Sequence, residues 1–412
     1  MAGRRVRQAG LHLPGEPGPH NAITDVPGVE VGAVTLIEGS GPLRTGHGPV
    51  RTGVTAVLPR GRAGVGHPCA AGMAVLNGNG EMTGAAFVEE VGLLDLPIML
   101  TNSHAVGACH RGVVDWVSAH VPQRAQRWML PVVAETYDGF LNDINGDHVT
   151  PAVAAAAMDA ARGGPVAEGS VGGGTGMNCY GYTGGTGTSS RQVPFGADRY
   201  TLGVLVQANF GARRELVVAG HPVGRRLTDD DLFAASAAVQ PAGAGSVIVV
   251  VATDAPLLPG QCKALARRVP LGLARTGTSG SHFSGDLFLA LSTAEQHVSG
   301  SQYPQPGDER LEQMSLVPWR HLDRFFEACA GGGGGRAQRA VRQRRDGRPR
   351  RPPGARTAGG AGAGDGAHRP VAGRCACPGG EVRASQYPLG VSTSMNSGSG
   401  SVPPRVTLSR LT

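Results

Sequence analysis

The residues best suited to chemistry stand where a turn meets a strand. The stretch "PAGAGSVIVVVATDAP" places Gly245 and Ser246 directly before an apolar run that is typical of a strand buried on both faces. If the Gly245–Ser246 peptide bond were cut, the new amine of Ser246, with an ordinary pKa near 7.7–8.0, would be a base beside its own hydroxyl. Gly245 leaves room for that hydroxyl to attack the preceding carbonyl. The same pair also fits an ordinary turn, so other residues must support the functional interpretation.

Further polar residues accompany strand-like runs elsewhere in the chain. Ser284 and Asp286 precede an apolar strand in "GSHFSGDLFLALSTA", and in an extended chain both point the same way. Asn209 ends the strand in "LGVLVQANFG", where its amide would donate to an oxyanion. Glu135 and Tyr137 are also two residues apart, in "VVAETYDGFLNDING". Each of them equally fits a structural or solvated position, and spacing alone does not bring them together.

Several common chemistries lack their sequence signatures. No histidine is followed by glutamate, so the chain has no HExxH zinc motif, and no GxSxG elbow is present. Lys263 is the only lysine and follows Cys262, which excludes a Walker A loop. The seven cysteines form no CxxC pair and are expected to be reduced thiols. We therefore expect neither a metal nor a cofactor.

The elements that must position these residues alternate in type. Strand-like runs such as "VTAVLP" and "LGVLVQ" alternate with Ala-rich helical stretches such as "VTPAVAAAAMDAAR" and "DDLFAASAAV". Thr228 precedes three aspartates at the start of the last of these, which is typical of a helix N-terminus. The body of the chain is thus predicted to be a layered α and β structure.

Charge and hydropathy limit the partners. The chain has 412 residues and a formal charge of +7, but residues 331–412 hold 14 arginines and three acidic residues, which leaves about −4 for the body. The body therefore has no nucleic-acid-binding character. No apolar run approaches the roughly 20 residues that a membrane span needs, and no signal peptide is evident. We expect a cytoplasmic protein without nucleic-acid or membrane partners.

Eight stretches together resemble one family of peptidases. They are "GPHNAITDVPGVEVG", "LNGNGEMTG", "LTNSHAVG", "VVAETYDGFLNDING", "VGGGTGMNCYGYTGGTGTSSR", "GVLVQANFG", "GAGSVIVVVATDAPLLPGQ" and "SGDLFLALSTA". In order and length they are similar to motifs of the self-processing family that contains the L-aminopeptidase/D-amidase/esterases and the β-peptidyl aminopeptidases. The resemblance covers roughly residues 9 to 325.

This resemblance implies a fold and a maturation step. The fold would be α+β, a four-layer αββα sandwich resembling the N-terminal nucleophile hydrolases but with its own connectivity. The precursor would cleave itself between Gly245 and Ser246 into an α chain (1–245) and a β chain that starts at 246. The αβ units would then assemble into a homo-oligomer.

The resemblance also implies catalytic roles. Ser246 would be the nucleophile, with Ser284 and Asp286 supporting its amine and hydroxyl. Asn209 would stabilise the oxyanion, and Tyr137 would line the site.

Two further residues concern the substrate. Glu135 matches the acid that would hold the substrate's free amine, which would restrict cleavage to N-terminal residues. His282 stands where the family is expected to have small residues, and would narrow the pocket.

The last part of the chain departs from the family. A peptidase domain is predicted over 1–330, followed by a disordered tail rich in Gly, Arg and Pro over 331–412. The family's final helix is expected to be absent. The tail is either a genuine basic segment or an out-of-frame translation of that helix.

The predicted function is that of a self-matured serine aminopeptidase. It would release N-terminal residues from short peptides, amides or esters through an acyl-enzyme on Ser246. The alternatives are an ω-amino-acid oligomer hydrolase or an ornithine acetyltransferase-like acyltransferase, related groups that use threonine at the cleavage point, and a member that never matures and has a structural role.

Overall fold

The chain forms a mixed α+β fold. The computed structural model describes residues 13–125, 127–227, 243–294, 299–300, 303–304 and 306–340, with side chains as far as residue 331. The α-helices assigned in these ranges are α1 (Ala85–Val91), α2 (Val106–His120), α3 (Pro151–Asp159), α4 (Pro259–Ala266), α5 (Val269–Ala274) and α6 (Asp323–Ala340). The helix predicted after Thr228 falls outside these ranges.

The Ala-rich stretch after residue 148 forms a helix, as predicted. In α3 the hydroxyl of Thr150 accepts the backbone N–H of Val153 at 3.4 Å, and Pro151 occupies the first turn, where its missing N–H costs nothing.

One sheet has four strands in the order β1-β2-β5-β6. Its strands are β1 (Glu30–Glu38), β2 (Val50–Leu58), β5 (Ile98–Asn102) and β6 (Val132–Thr136). The β5–β6 pair is parallel, with Asn102 opposite Thr136. The residues that follow these two strands therefore leave the sheet at the same edge.

A second sheet has six strands in the order β4-β3-β12-β11-β10-β9. Its strands are β3 (Cys69–Gly78), β4 (Leu93–Leu94), β9 (Gly185–Phe195), β10 (Asp198–Asn209), β11 (Gly245–Thr253) and β12 (Ser284–Ser292), while β7 (Asn178–Cys179) and β8 (Tyr182–Thr183) form a separate short pair. The central strands β11 and β12 are parallel and begin side by side. The end of β10 lies beside the start of β11, so three strand ends meet there.

The alternation of side chains along β11 explains how both faces of this sheet are buried. Ile248 and Val250 belong to an apolar cluster that also contains Ile98 and Val132 of the four-stranded sheet, so the two sheets pack against each other. Val249, on the opposite face, belongs to another cluster. Full burial of each such side chain contributes roughly 1.5–3 kcal/mol.

Side chains of helices share apolar clusters with strands of each sheet. Trp116 of α2 and Met158 of α3 share a cluster with Met99 of the four-stranded sheet. Leu265 of α4 and Phe325 of α6 pack in the cluster of the six-stranded sheet.

The expected absence of a final helix is wrong. Helix α6 continues to Ala340, through a run of glycines that has low helix propensity. Phe325 and Cys329, one turn apart, are 0% and 1% exposed, and a guanidinium N–H of Arg191 donates to the carbonyl of Gly331 at 3.4 Å. Tertiary packing of the first turns thus outweighs the low propensity of the following residues. Residues 341–412 are outside the described chain, and a separate tail domain stays a prediction.

Among the described helices, none combines the length and apolar character that crossing a bilayer requires.

Candidate active site

Ser246 lies at the start of β11, buried between two neighbouring strands. It is opposite Asn209 in the antiparallel pair with β10 and opposite Gly285 in the parallel pair with β12. Its side chain is held from the other sheet, because the backbone N–H of Tyr137, just after β6, donates to Ser246 Oγ at 3.3 Å. Only 2% of Ser246 is exposed. The hydroxyl is therefore fixed in place at the junction of the two sheets.

Asn209 and Tyr137 form one wall of this site. Asn209 Nδ2 donates to the carbonyl of Tyr137 at 2.8 Å, and Asn209 Oδ1 accepts the backbone N–H of Asn178 at 2.8 Å. Tyr137 approaches Ser246 through its backbone, whereas its side chain is 43% exposed. A backbone group of Tyr137, rather than its phenol, thus makes the contact with Ser246, and the catalytic role of this residue stays a prediction.

Ser284 and Asp286 interact as their period-two spacing predicts. Ser284 Oγ donates to Asp286 Oδ1 at 2.5 Å, and Asn77 Nδ2 donates to Asp286 Oδ2 at 3.0 Å. Asn77 lies directly opposite Asp286 because the pairing of β3 with β12 shifts register there, as at a bulge. Burial raises the pKa of Asp286, while the donors from Ser284, Asn77 and the Val247 backbone lower it. The carboxylate accepts donors on both oxygens beside the start of β11.

Glu135 is on β6, two residues before Tyr137, and is 5% exposed. Its Oε1 accepts the backbone N–H of Glu81 at 2.9 Å, and its Oε2 accepts the hydroxyl of Ser103. Burial raises the pKa of Glu135, and the Ser103 hydrogen bond opposes this rise. A nearly buried carboxylate whose two hydrogen bonds come from neutral donors, with His104 acting on it only through charge, is a suitable site for an ammonium group.

Gly245 is in close contact with the neighbouring strand. A Cβ at this position would overlap the carbonyl oxygen of Asn209, and the Gly245 N–H donates to the carbonyl of Phe283 at 3.2 Å. Any other residue would push β11 away from β10. Glycine is thus required at position 245 because the backbones of β10 and β11 approach closely there.

Two site residues were not singled out from the sequence. Asn77 and Ser103 fall within the quoted stretches "LNGNGEMTG" and "LTNSHAVG", but only tertiary pairing reveals that they hold Asp286 and Glu135. His282 is exposed and contacts the ring of Phe283.

The cysteines of the described ranges are buried free thiols, and burial raises the pKa of Cys109, Cys179 and Cys329 to about 12. Within the same ranges, no group of three or more His, Cys, Asp or Glu residues is placed to hold a metal ion.

The chain is similar to known proteins over most of its length. The model of peptidase family S58 matches residues 21–332. The chain is 53% identical over 336 residues to β-peptidyl aminopeptidase BapA of Sphingosinicella microcystinivorans, covering 79% of this chain and 82% of that protein.

Two solved structures are also similar. A β-aminopeptidase from a Burkholderia species superposes with a TM-score of 0.74 at 44% identity, covering 82% of this chain and 91% of the other. The L-aminopeptidase D-Ala-esterase/amidase of Ochrobactrum anthropi, described as a prototype serine aminopeptidase with a variant of the N-terminal nucleophile hydrolase fold, gives a TM-score of 0.73 at 43% identity over 82% of this chain and 90% of its own. With a family match over most of its length and a relative at this level of identity, the chain belongs to peptidase family S58.

Proposed function

We propose that Ser246 is the nucleophile of this S58-family aminopeptidase, and that it becomes the N-terminus of a β chain when the Gly245–Ser246 bond is cut. The observation that carries the proposal is the buried Ser246 hydroxyl, fixed by the Tyr137 N–H and flanked by Asn209 and by the start of β12. The substrates are short peptides, amides or esters, and no metal or cofactor takes part.

The proposed maturation is an intramolecular acyl shift. Ser246 Oγ attacks the carbonyl carbon of Gly245, the C–N bond breaks, and the proton lost by the hydroxyl is transferred to the nitrogen of Ser246 as its amine forms. Water then hydrolyses the resulting ester, which leaves a carboxylate on Gly245 and restores the hydroxyl of Ser246. The absence of a side chain at Gly245 keeps β10 and β11 close enough for Asn209 to stay beside this carbonyl.

In turnover, the freed amine of Ser246 is the general base. It takes the proton of the hydroxyl as Oγ attacks the substrate carbonyl, and it returns the proton to the leaving amine or alcohol. The Asn209 amide stabilises the tetrahedral oxyanion. Ser284 and Asp286 orient the ammonium form of the base, and water hydrolyses the acyl-enzyme by the reverse sequence of proton transfers.

Glu135 gives the enzyme its preference for chain ends. Its buried carboxylate pairs with the substrate ammonium, so only a residue with a free amine fits between Glu135 and Ser246. Substrates with an N-terminal β-residue are included in the proposal because two relatives, at 53% and 48% identity, are named β-peptidyl aminopeptidases.

The proposal extends to the architecture and the assembly. The clusters on both faces of each sheet support a four-layer αββα order, with α2 and α3 outside one sheet and α4, α5 and α6 outside the other. We place the αβ units in a cytoplasmic homo-oligomer.

Substitution of Ser246 by alanine tests the nucleophile. Wild-type protein should resolve on a denaturing gel into chains of about 25 and about 17 kDa, by scaling its 42.1 kDa with length, and intact mass should place residue 246 first in the smaller one. Ser246→Ala should remain a single chain and hydrolyse neither α- nor β-aminoacyl p-nitroanilides.

Asn77→Ala, a change beside the site that leaves Ser246 in place, is the matched control and should still mature, though more slowly. Full turnover by Ser246→Ala would refute the assignment.

A further inference from the structure

Asp138 is a buried carboxyl group one residue away from the contact that holds Ser246. The preceding residue, Tyr137, donates its backbone N–H to Ser246 Oγ at 3.3 Å, and its carbonyl accepts Asn209 Nδ2 at 2.8 Å. Any movement of Asp138 is therefore transmitted through one peptide unit to the proposed nucleophile.

Only one of the two carboxyl oxygens of Asp138 has a hydrogen-bond partner among the described residues. Asp138 is 0% exposed, and its Oδ1 accepts Asn142 Nδ2 at 3.0 Å, while Oδ2 has no such partner in the described part of the chain. Its backbone carbonyl accepts the N–H groups of Leu141 and Asn142, each at 3.0 Å, which closes a turn. Gly176 packs against it, because a Cβ at 176 would lie 2.9 Å from the Cβ of Asp138. The Tyr137–Asn142 segment is thus held by the backbone carbonyl of Asp138 together with its side chain.

The groups around Asp138 that act on its proton are neutral. Burial raises the pKa of Asp138 to about 6, and hydrogen bonding to the side chains of Thr52, Asn142 and Asn102 opposes the rise. The pKa of this carboxyl group therefore lies closer than that of an ordinary aspartate to the pKa of an N-terminal amine, which is near 7.7–8.0.

The charged groups on the surrounding elements have other partners. From β2, Arg51 donates to the carbonyl oxygens of Val50, Glu38 and Gly39. In the loop after Asp138, Asp143 accepts His148 Nε2 at 3.0 Å. On β6, Glu135 accepts the Ser103 hydroxyl.

We propose that Asp138 is a positioning residue whose ionised carboxylate anchors the Tyr137–Asn142 segment and so directs the Tyr137 N–H at Ser246 Oγ. The ionised form accepts Asn142 Nδ2 on Oδ1, and such a charge-assisted hydrogen bond is stronger than that of the neutral acid. The side chains of Thr52 and Asn102 also stabilise the ionised form. Protonation weakens this anchor, and the nucleophile loses its fixed orientation. The inference rests on the proposed role of Ser246.

The test is the pH dependence of kcat/KM for the mature enzyme and for Asp138→Asn, which keeps an acceptor for Asn142 but cannot ionise. Below about pH 6, two protonations lower kcat/KM in wild type, that of the Ser246 amine and that of Asp138. In Asp138→Asn only the amine is protonated. The slope of log(kcat/KM) against pH should therefore be steeper by one in wild type than in Asp138→Asn. Asp143→Asn is the control from the same loop, and should keep the wild-type slope because the pKa of Asp143 is lowered and it is ionised throughout. Equal slopes in wild type and Asp138→Asn overturn the proposal.

A second variant covers the case in which Asp138→Asn does not mature. Thr52→Val is isosteric and removes a hydroxyl that lowers the pKa of Asp138, so the midpoint of the acid step should move to higher pH. A midpoint that does not move contradicts the proposal. If Ser246→Ala is inactive while these profiles do not change, only the role of Asp138 fails; if Ser246→Ala is active, the proposed function fails as well.

Discussion

In the proposed mechanism Glu135 and Ser246 act on different parts of a substrate, so their substitutions should separate binding from chemistry. Glu135→Gln removes the charge that pairs with the substrate ammonium, and we expect kcat/KM to fall roughly 10- to 100-fold, in line with the roughly 1.5–3 kcal/mol of a charged hydrogen bond. Maturation should continue, because the Gly245–Ser246 bond has no free amine next to it. The readouts are steady-state kinetics and the rate of precursor cleavage.

The exposed neighbour Glu81 provides the control for this change. Glu81 donates its backbone N–H to Glu135, and its exposed carboxylate acts on Glu135 only through its charge, which raises the pKa of Glu135. Glu81→Gln should therefore change kcat/KM by a small factor. If Glu135→Gln and Glu81→Gln lowered kcat/KM equally, Glu135 would not be the specific ammonium partner.

At the scale of single residues, the sequence predicts contacts between residues that are close in the chain and misses contacts between residues that are far apart. The contact between Ser284 and Asp286 follows from strand periodicity. Asn77 reaches Asp286 across a register shift between β3 and β12, and the contact of Tyr137 uses a backbone group that has no side-chain signature. Such contacts depend on tertiary pairing, which no local pattern encodes.

At the scale of elements, two helical glycines have opposite surroundings. A Cβ at Gly331 in α6 would meet no atom within 4 Å outside its own helix, whereas one at Gly112 in α2 would lie 2.7 Å from the Cβ of Ala154 in α3. Gly331→Ala should therefore increase the free energy of unfolding by roughly 0.5–1 kcal/mol, because alanine favours the helix.

Thermal unfolding of both variants checks this prediction. Gly112→Ala should lower the unfolding temperature, since α2 and α3 would have to move apart at a cost of roughly 1–3 kcal/mol. A destabilised Gly331→Ala protein would show that α6 is not helical at this residue in solution.

Helix α6 also shows that the extent of an element is not always predictable from local sequence. Composition alone favours a break at the glycine run, because glycine costs about 1 kcal/mol per residue in a helix interior. The buried side chains of Phe325 and Cys329 hold the preceding turns against the six-stranded sheet, and the helix continues from them. The β-strands are more predictable, since "LGVLVQ" falls within β10 and "VTAVLP" falls within β2 except for its final proline.

At the scale of the whole molecule, the order of strands in the six-stranded sheet determines what the proposed cut does. The two strands that would belong to the β chain, β11 and β12, lie between β10 and β3 of the α chain. The new N-terminus of the β chain would therefore stay in place, held by neighbouring strands on both sides.

This interleaving changes how the protein recovers from denaturation. The Ser246→Ala precursor refolds as one chain, so its refolding rate should not depend on protein concentration, whereas the mature enzyme must bring two chains together and should refold faster as concentration rises. Refolding yields after dilution from urea at several concentrations would show the difference. A single broken bond would thus leave the folded enzyme unchanged in shape and yet make its unfolding, in a dilute solution, a nearly irreversible loss.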